Sequence, residues 1–271
     1  MKKIVYLISA LVTLSFTSQA QNDTMYIMKA GVVTAKYHVD NQVDSIIFYK
    51  PTNNNCNIFN PSLTYASMTD HDGNTYKTII IGTQEWMAEN LKANHYRNGD
   101  SIPVVTNNAS WQSLSTGATC WYNNDSAVYN CSYGKLYNWY AVADARNLCP
   151  TGWHVPTDDE WSTLINYLDP NAGGVSNFPN VAGGKMKSTG TLHWLSPNMN
   201  ADNSSGFSGF PVGFRYIFGT FQNFGYYGYW WSSTEGTASG AWVRYLNYDS
   251  GDASRYNWDK TYGFSVRCLR D

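Results

Sequence analysis

Leu148-Cys-Pro-Thr-Gly-Trp-His-Val-Pro-Thr-Asp-Asp-Glu-Trp-Ser-Thr-Leu-Ile-Asn-Tyr-Leu168 carries the strongest helix start in the chain. Thr157 is a natural N-cap, and Glu160, three residues on, completes a capping box. Asp158 and Asp159 put negative charge at the positive end of the helix dipole. That position accounts for the three acids without a bound cation. Trp161, Leu164, Ile165 and Leu168 then follow at i, i+3, i+4, i+7, so one face of a helix over 157–168 packs against something broad, expected to be a sheet. Cys149 lies ahead of the cap and Cys268 is close to the C-terminus, placed to tie the start of this helix to the last strand.

Working outward, the chain has 271 residues, with 14% charged and 16% aromatic, including 21 Tyr and 11 Trp. That length can bury one substantial core with a small appendage. Residues 1–20 read as a signal peptide: Lys2 and Lys3, an apolar run from Ile4 to Phe16, and Ser18-Gln19-Ala20 as the cleavage site. The run is shorter than the roughly 20 residues a membrane span needs, no later stretch is apolar enough to span, and no Cys stands near the cut for lipid attachment. A periplasmic or extracellular location is therefore expected. The formal charge of −2 becomes −4 once the leader is removed, which argues against nucleic acid as a partner.

Export changes how the five cysteines read. Cys56, Cys120, Cys131, Cys149 and Cys268 lack a C-x-x-C pair, and an oxidising compartment favours disulfides over zinc. Spacing leaves the connectivity open. The expected pairs are Cys149 with Cys268 and Cys120 with Cys131, leaving Cys56 free.

Residues 21–50 read as a small β element of three short strands, and 51–69 as a linker rich in Asn. A main domain over 70–271 opens on the turn Asp70-His71-Asp72-Gly73 and a hairpin through Thr75–Ile81 and Trp86–Lys92. Residues 94–116 read as a surface loop. A second helix is expected over Tyr133–Asn147, with Leu136, Trp139, Tyr140 and Ala143 on one side. After Leu168 come Gly- and Asn-rich turns and short aromatic strands at 210–216, 228–233, 241–248, 254–258 and 263–269. Two main helices followed by short twisted antiparallel strands define an α+β fold.

Six ordered blocks carry a resemblance. They are Asp72-Gly-Asn-Thr-Tyr76, Gln84-Glu-Trp-Met-Ala-Glu-Asn-Leu91, Tyr133-Gly-x-Leu-Tyr-Asn-Trp139, Cys149-Pro-Thr-Gly-Trp-His-Val-Pro-Thr-Asp-Asp-Glu-Trp161, Tyr229-Trp-Trp-Ser-Ser-Thr-Glu235 and Gly263-Phe-Ser-Val-Arg-Cys-Leu-Arg270. Over 70–271 the chain resembles the Fibrobacter succinogenes major paralogous domain family. That family is similar in pattern to sulfatase-modifying-factor and C-type-lectin-like folds, so the resemblance implies such a fold and no particular reaction. The 21–50 element in turn resembles the segments that follow the signal peptide in surface proteins of Bacteroidota.

Catalytic patterns are weak. His38, His71, His95, His154 and His193 are scattered without metal-ligand spacing, and no G-x-S-x-G or phosphate loop is present. His154, between Trp153 and Val155, reads as structural. Formylglycine-generating enzymes of the similar fold use two reactive cysteines near their C-terminal region, where this chain has Cys268 alone. No cofactor is expected unless calcium binds: Asp249 and Asp252 flank Gly251, and Asp202 lies among Asn198, Asn200 and Asn203, loops rich in the oxygen ligands calcium uses.

The aromatic strands remain. Alternate strand residues face opposite sides, so Trp230 and Trp231 are expected to divide, one inward and one exposed. Trp242, between Ala241 and Val243, reads as core. A face carrying Trp230 or Trp231 with Tyr248, Tyr256 and Trp258, edged by Arg244, Asn247 and Asn257, is expected to bind a neutral glycan or a partner protein. The expected function is thus an exported, non-enzymatic binding module. The alternatives are a structural subunit of a surface assembly or a secreted enzyme with a divergent site.

Overall fold

A computed structural model describes residues 24–29, 32–38, 59–130, 133–172 and 179–271. The chain divides into two units, 1–54 and 55–271. In the first, β1 (Thr24–Lys29) and β2 (Val32–His38) form an antiparallel hairpin with a register shift after Ile27. The expected signal peptide and the third expected strand lie outside the described residues.

The second unit is mixed α and β, mostly antiparallel sheet with few helices. Its strands are β3 (Ala66–Thr69), β4 (Thr75–Ile81), β5 (Gln84–Met87), β6 (Thr119–Cys120), β7 (Leu136–Tyr137) and β8 (Trp153–His154). After them come β9 (Phe214–Arg215), β10 (Phe221–Gln222), β11 (Tyr227–Glu235), β12 (Gly240–Asn247), β13 (Ala253–Asp259) and β14 (Leu269–Arg270). One sheet has the order β3-β4-β5-β14-β8, a second β11-β12-β13, and β6-β7 and β9-β10 pair separately. The helices are α1 (Asn108–Gln112), α2 (Ser126–Tyr129), α3 (Trp139–Val142), α4 (Asp158–Leu168) and α5 (Ala182–Met186).

Helix α4 forms as its sequence dictates. The Thr157 hydroxyl accepts from the Glu160 N–H at 3.2 Å, and the Glu160 carboxylate accepts from the Thr157 N–H at 2.8 Å. Trp161, Leu164, Ile165 and Leu168 are all buried, and the Trp161 ring lies 4.6 Å from Trp86 of β5. The helix therefore seals one side of the domain against both larger sheets. Cys149 and Cys268 are joined in a disulfide whose Cα atoms are 6.0 Å apart.

Three expectations are corrected. Among the described residues only one helix exceeds five residues, because the 133–147 segment is broken at both ends. Gly134 has φ +71°, and a Cβ there would lie 2.6 Å from Asn90. Asn138 starts α3 as an N-cap, accepting from Ala141 N–H, and Asn147 has φ 61°. Second, Cys120 is a free, buried thiol. It sits on β6 in an apolar cluster with Trp111, Leu136 and Val212, so the expected pairing with Cys131 is not made; Cys131 itself lies outside the described residues. Third, 59–69 is not linker. Leu63 and Tyr65 pack on the core, Tyr65 donates to the Gly206 carbonyl at 3.2 Å, and β3 completes a sheet edge.

Burial fixes one acid-sensitive group. His193 Nδ1 meets the Tyr133 hydroxyl at 2.6 Å, and desolvation lowers its pKa from 6.5 to about 4. Between those values the unfolded chain takes up a proton that the folded chain refuses, so stability is lost as pH falls from 6.5 toward 4. The loss should be on the order of 2 kcal/mol after allowing for partial exposure. Urea unfolding at pH 7 and pH 4.5 should show it in the wild type and a smaller decline in His193→Gln; equal declines would remove His193 from the account.

Candidate ligand-binding face

The β11–β13 sheet decides which aromatic residues reach solvent. Along β11, Tyr227, Tyr229 and Trp231 share one face while Gly228, Trp230 and Ser232 share the other. Both tryptophans have 0% exposure, because both faces are covered. Trp230 donates to Asn90 Oδ1 at 2.8 Å on the α4 side, and Trp231 donates to the Tyr137 carbonyl at 2.8 Å on the other. Neither is a platform, and the expected division between them is corrected.

Arg244 is likewise interior. Its Nη2 lies 2.9 Å from Asp158 Oδ1, and Arg255 Nη2 lies 2.6 Å from Asp158 Oδ2. One carboxylate at the first position of α4 thus holds two guanidinium groups from the underlying sheet. Arg255 also stacks 3.4 Å above the ring of Trp242, which is half-buried instead of core. Asn257 belongs to this same side, near Gly236 and Gly240.

Tyr256 and Trp258, also expected at the site, do lie on the open face. They begin a run of neighbouring rings. Tyr256 lies 5.4 Å from Trp258, Trp258 4.8 Å from Tyr262, Tyr262 5.3 Å from Tyr216, and Tyr216 5.2 Å from Phe218. The ends are the most open, with Tyr256 58% and Phe218 53% exposed. Tyr227 and Tyr245, both half-buried with ring centres 6.2 Å apart, widen the strip. Asn247 stands directly across the strand pair from Tyr227. Burial, and then the nearby Asp249 carboxylate, raise the Tyr227 hydroxyl above its ordinary pKa. Tyr248 lies off this strip, beside Tyr226.

Tyr216, Phe218 and Tyr262 were missed because they enter from the β9–β10 turn and the segment after β13. No sequence periodicity links those segments to β13. Tyr227 and Tyr245 could have been found by carrying strand alternation across the β11–β12 register.

Among the described residues the polar groups of the expected sites stand apart from one another. His154 Nδ1 lies 2.7 Å from Asp271 and its Nε2 3.0 Å from Glu160, at the rim of a shallow groove that includes Gln84, Glu85 and Arg270. Glu160 is already committed to the helix cap, so this clasp joins the start of α4 to the end of β14. Asp72 pairs with His95 beside His71. Among the described residues no three His, Cys, Asp or Glu side chains form a metal-holding group. Of the calcium candidates, Asp252 accepts from Asn180 N–H at 2.6 Å, and Asp202 from Ser204 N–H at 2.8 Å. Asp249 is exposed on its turn.

Comparison with protein families matches residues 79–270 to the Fibrobacter succinogenes major domain. The chain belongs to that family. The match runs from within β4 through β14, so it includes the whole β11–β13 sheet, α4 and every ring of the strip, and leaves out β3 at the edge of the five-stranded sheet. Comparison with curated proteins and with solved structures finds no match in either.

Proposed function

We propose that the chain is an exported, non-enzymatic binding module of C-type-lectin-like or sulfatase-modifying-factor-like fold, and that the Tyr256-to-Phe218 strip binds a neutral glycan. The observation that carries this reading is the strip itself: a run of neighbouring rings, buried at Tyr262, half-buried at Trp258 and Tyr216 and exposed at its ends, Tyr256 and Phe218. Phenol rings offer apolar contact at little entropic cost, while their hydroxyls and Asn247 can hydrogen-bond a sugar. Among the described residues the lysine and arginine contacts to aromatic rings fall on rings outside the strip, which disfavours acidic glycans. Several ring pairs meet edge to face, including Tyr216 with Phe218 at 83°. The clefts between such rings also suit apolar side chains, so a protein ligand is the second reading. No described helix is long and apolar enough to cross a membrane.

A glycan array with the mature protein, with and without calcium, tests the proposal. Neutral glycans should bind in both conditions. Tyr256→Ala and Phe218→Ala should each weaken binding about tenfold or more with little change in unfolding midpoint, whereas Trp231→Ala should cost about 3–5 kcal/mol of stability. Full binding by the double variant Tyr256→Ala/Phe218→Ala would overturn the assignment.

A further inference from the structure

Lys187 is fully buried. Its ammonium donates to three backbone carbonyls, Met199 at 2.8 Å, Asn247 at 2.8 Å and Ser250 at 2.7 Å. The Trp194 ring lies 5.5 Å away. Burial lowers its pKa to about 8, and Asp249 and Asp252 oppose the shift. The oxygen-rich loops that suggested calcium thus converge on a cation the chain itself supplies. One loop contains Met199 and the other is the β12–β13 turn.

The surface above this ammonium is unlike an ordinary loop surface. Leu195, Met199 and Tyr226 are 42%, 43% and 43% exposed, and Tyr248 packs 5.1 Å from Tyr226. Backbone bonds stitch these stretches together: Leu195 N–H to Gly225 O at 2.9 Å, Met199 N–H to Tyr248 O at 2.7 Å, and Tyr248 N–H to Tyr226 O at 2.9 Å. Asp202 and Asp249 are exposed on the same two loops. Exposed apolar side chains held by a buried ion and backbone bonds form a preorganised patch, which lowers the ordering cost of binding.

We infer that this patch, which adjoins the aromatic strip at Tyr227, is a docking site for a protein segment that carries apolar side chains interspersed with lysine or arginine. The apolar centre would bury the partner's apolar groups. The carboxylates of Asp202 and Asp249 would meet its cations, and the same carboxylates repel an acidic partner. Lys187 is a positioning residue here: its charge is spent on the three carbonyls and faces no ligand.

The test uses the full mature chain labelled at its methionine methyl groups, followed by NMR. Three synthetic peptides of equal length serve as probes: alternating Leu and Lys, alternating Leu and Glu, and alternating Ser and Lys. The Leu–Lys peptide should shift the Met199 signal and bind about tenfold more tightly than either of the others. Leu195→Asp should abolish that preference, and Asp202→Asn/Asp249→Asn should reduce it severalfold while leaving the free Met199 signal in place. Lys187→Met should broaden the Met199 signal before any peptide is added; if that variant fails to fold, the Leu195 and aspartate variants still decide the question. Equal binding of the Leu–Glu peptide, shifts confined to other methionines, or a Met199 shift that depends on protein concentration alone, as for a second copy of this chain, would overturn the inference.

Discussion

The double variant Cys149→Ala/Cys268→Ala should lose about 4–5 kcal/mol of stability, the loop-closure value for a cross-link of this span in the chain-entropy model. The two cysteines are 119 residues apart in sequence, and both are buried. The bond joins the segment leading into β8 and α4 to the residue just before β14. Without it the unfolded chain gains freedom, while the folded state retains most of its packing. Urea unfolding of wild type with and without reductant, beside the double variant, measures the effect. Midpoints that coincide in all three would show that the bond contributes nothing. Cys120→Ala should leave the reductant dependence intact, since Cys120 is a free thiol.

A loss of similar size is expected at Asp158. Asp158→Ala leaves Arg244 buried without its ion-pair partner, in a place where its Nε and Nη1 already lack hydrogen-bond partners among the described residues. Breaking a buried pair from one side costs about 3–5 kcal/mol, because the remaining charge stays desolvated. Asp159 sits in the same first turn but is exposed, so Asp159→Ala should cost only about 0.3–1 kcal/mol through the helix dipole. If the two variants unfold at the same denaturant concentration, the Asp158 carboxylate is merely a dipole partner. A double variant, Asp158→Leu/Arg244→Met, should recover part of the loss, since replacing both charges removes the desolvation penalty together with the attraction.

Much of the helix side of the fold was legible because its signals are local. The Thr157–Glu160 capping box and the stripe from Trp161 to Leu168 lie within twelve consecutive positions, and each has one physical reading. The Cys149–Cys268 link could be proposed because export and position pointed the same way. The sheet side was less legible for an equally physical reason. Alternation says that Trp230 and Trp231 point in opposite directions, but not that both directions are interior. Arg244 looks like a binding residue beside aromatic strands until α4 is placed above it with Asp158 facing down. The strip needs Tyr216, Phe218 and Tyr262, which adjoin Trp258 only through tertiary packing. Leu136 and Trp139 suggested a helical stripe, whereas the left-handed backbone at Gly134 and the cap at Asn138 assign them to separate elements.

The strand order β3-β4-β5-β14-β8 has a consequence for how the protein comes into being. The final strand lies between one from the beginning of the domain and one from its middle: Leu269 pairs with Trp86 on one side and with His154 on the other. A nascent chain that has emerged only as far as α4 carries β5 and β8 with the slot between them unfilled, and the cysteine partner of Cys149 has not yet been synthesised. Such long-range pairing is slower to form than local contacts and cannot begin before both partners are present. Completion of the sheet therefore waits until β14 has emerged. If the chain is exported as proposed, this would be an advantage, since a polypeptide that cannot close its central sheet early stays threadable until it has crossed.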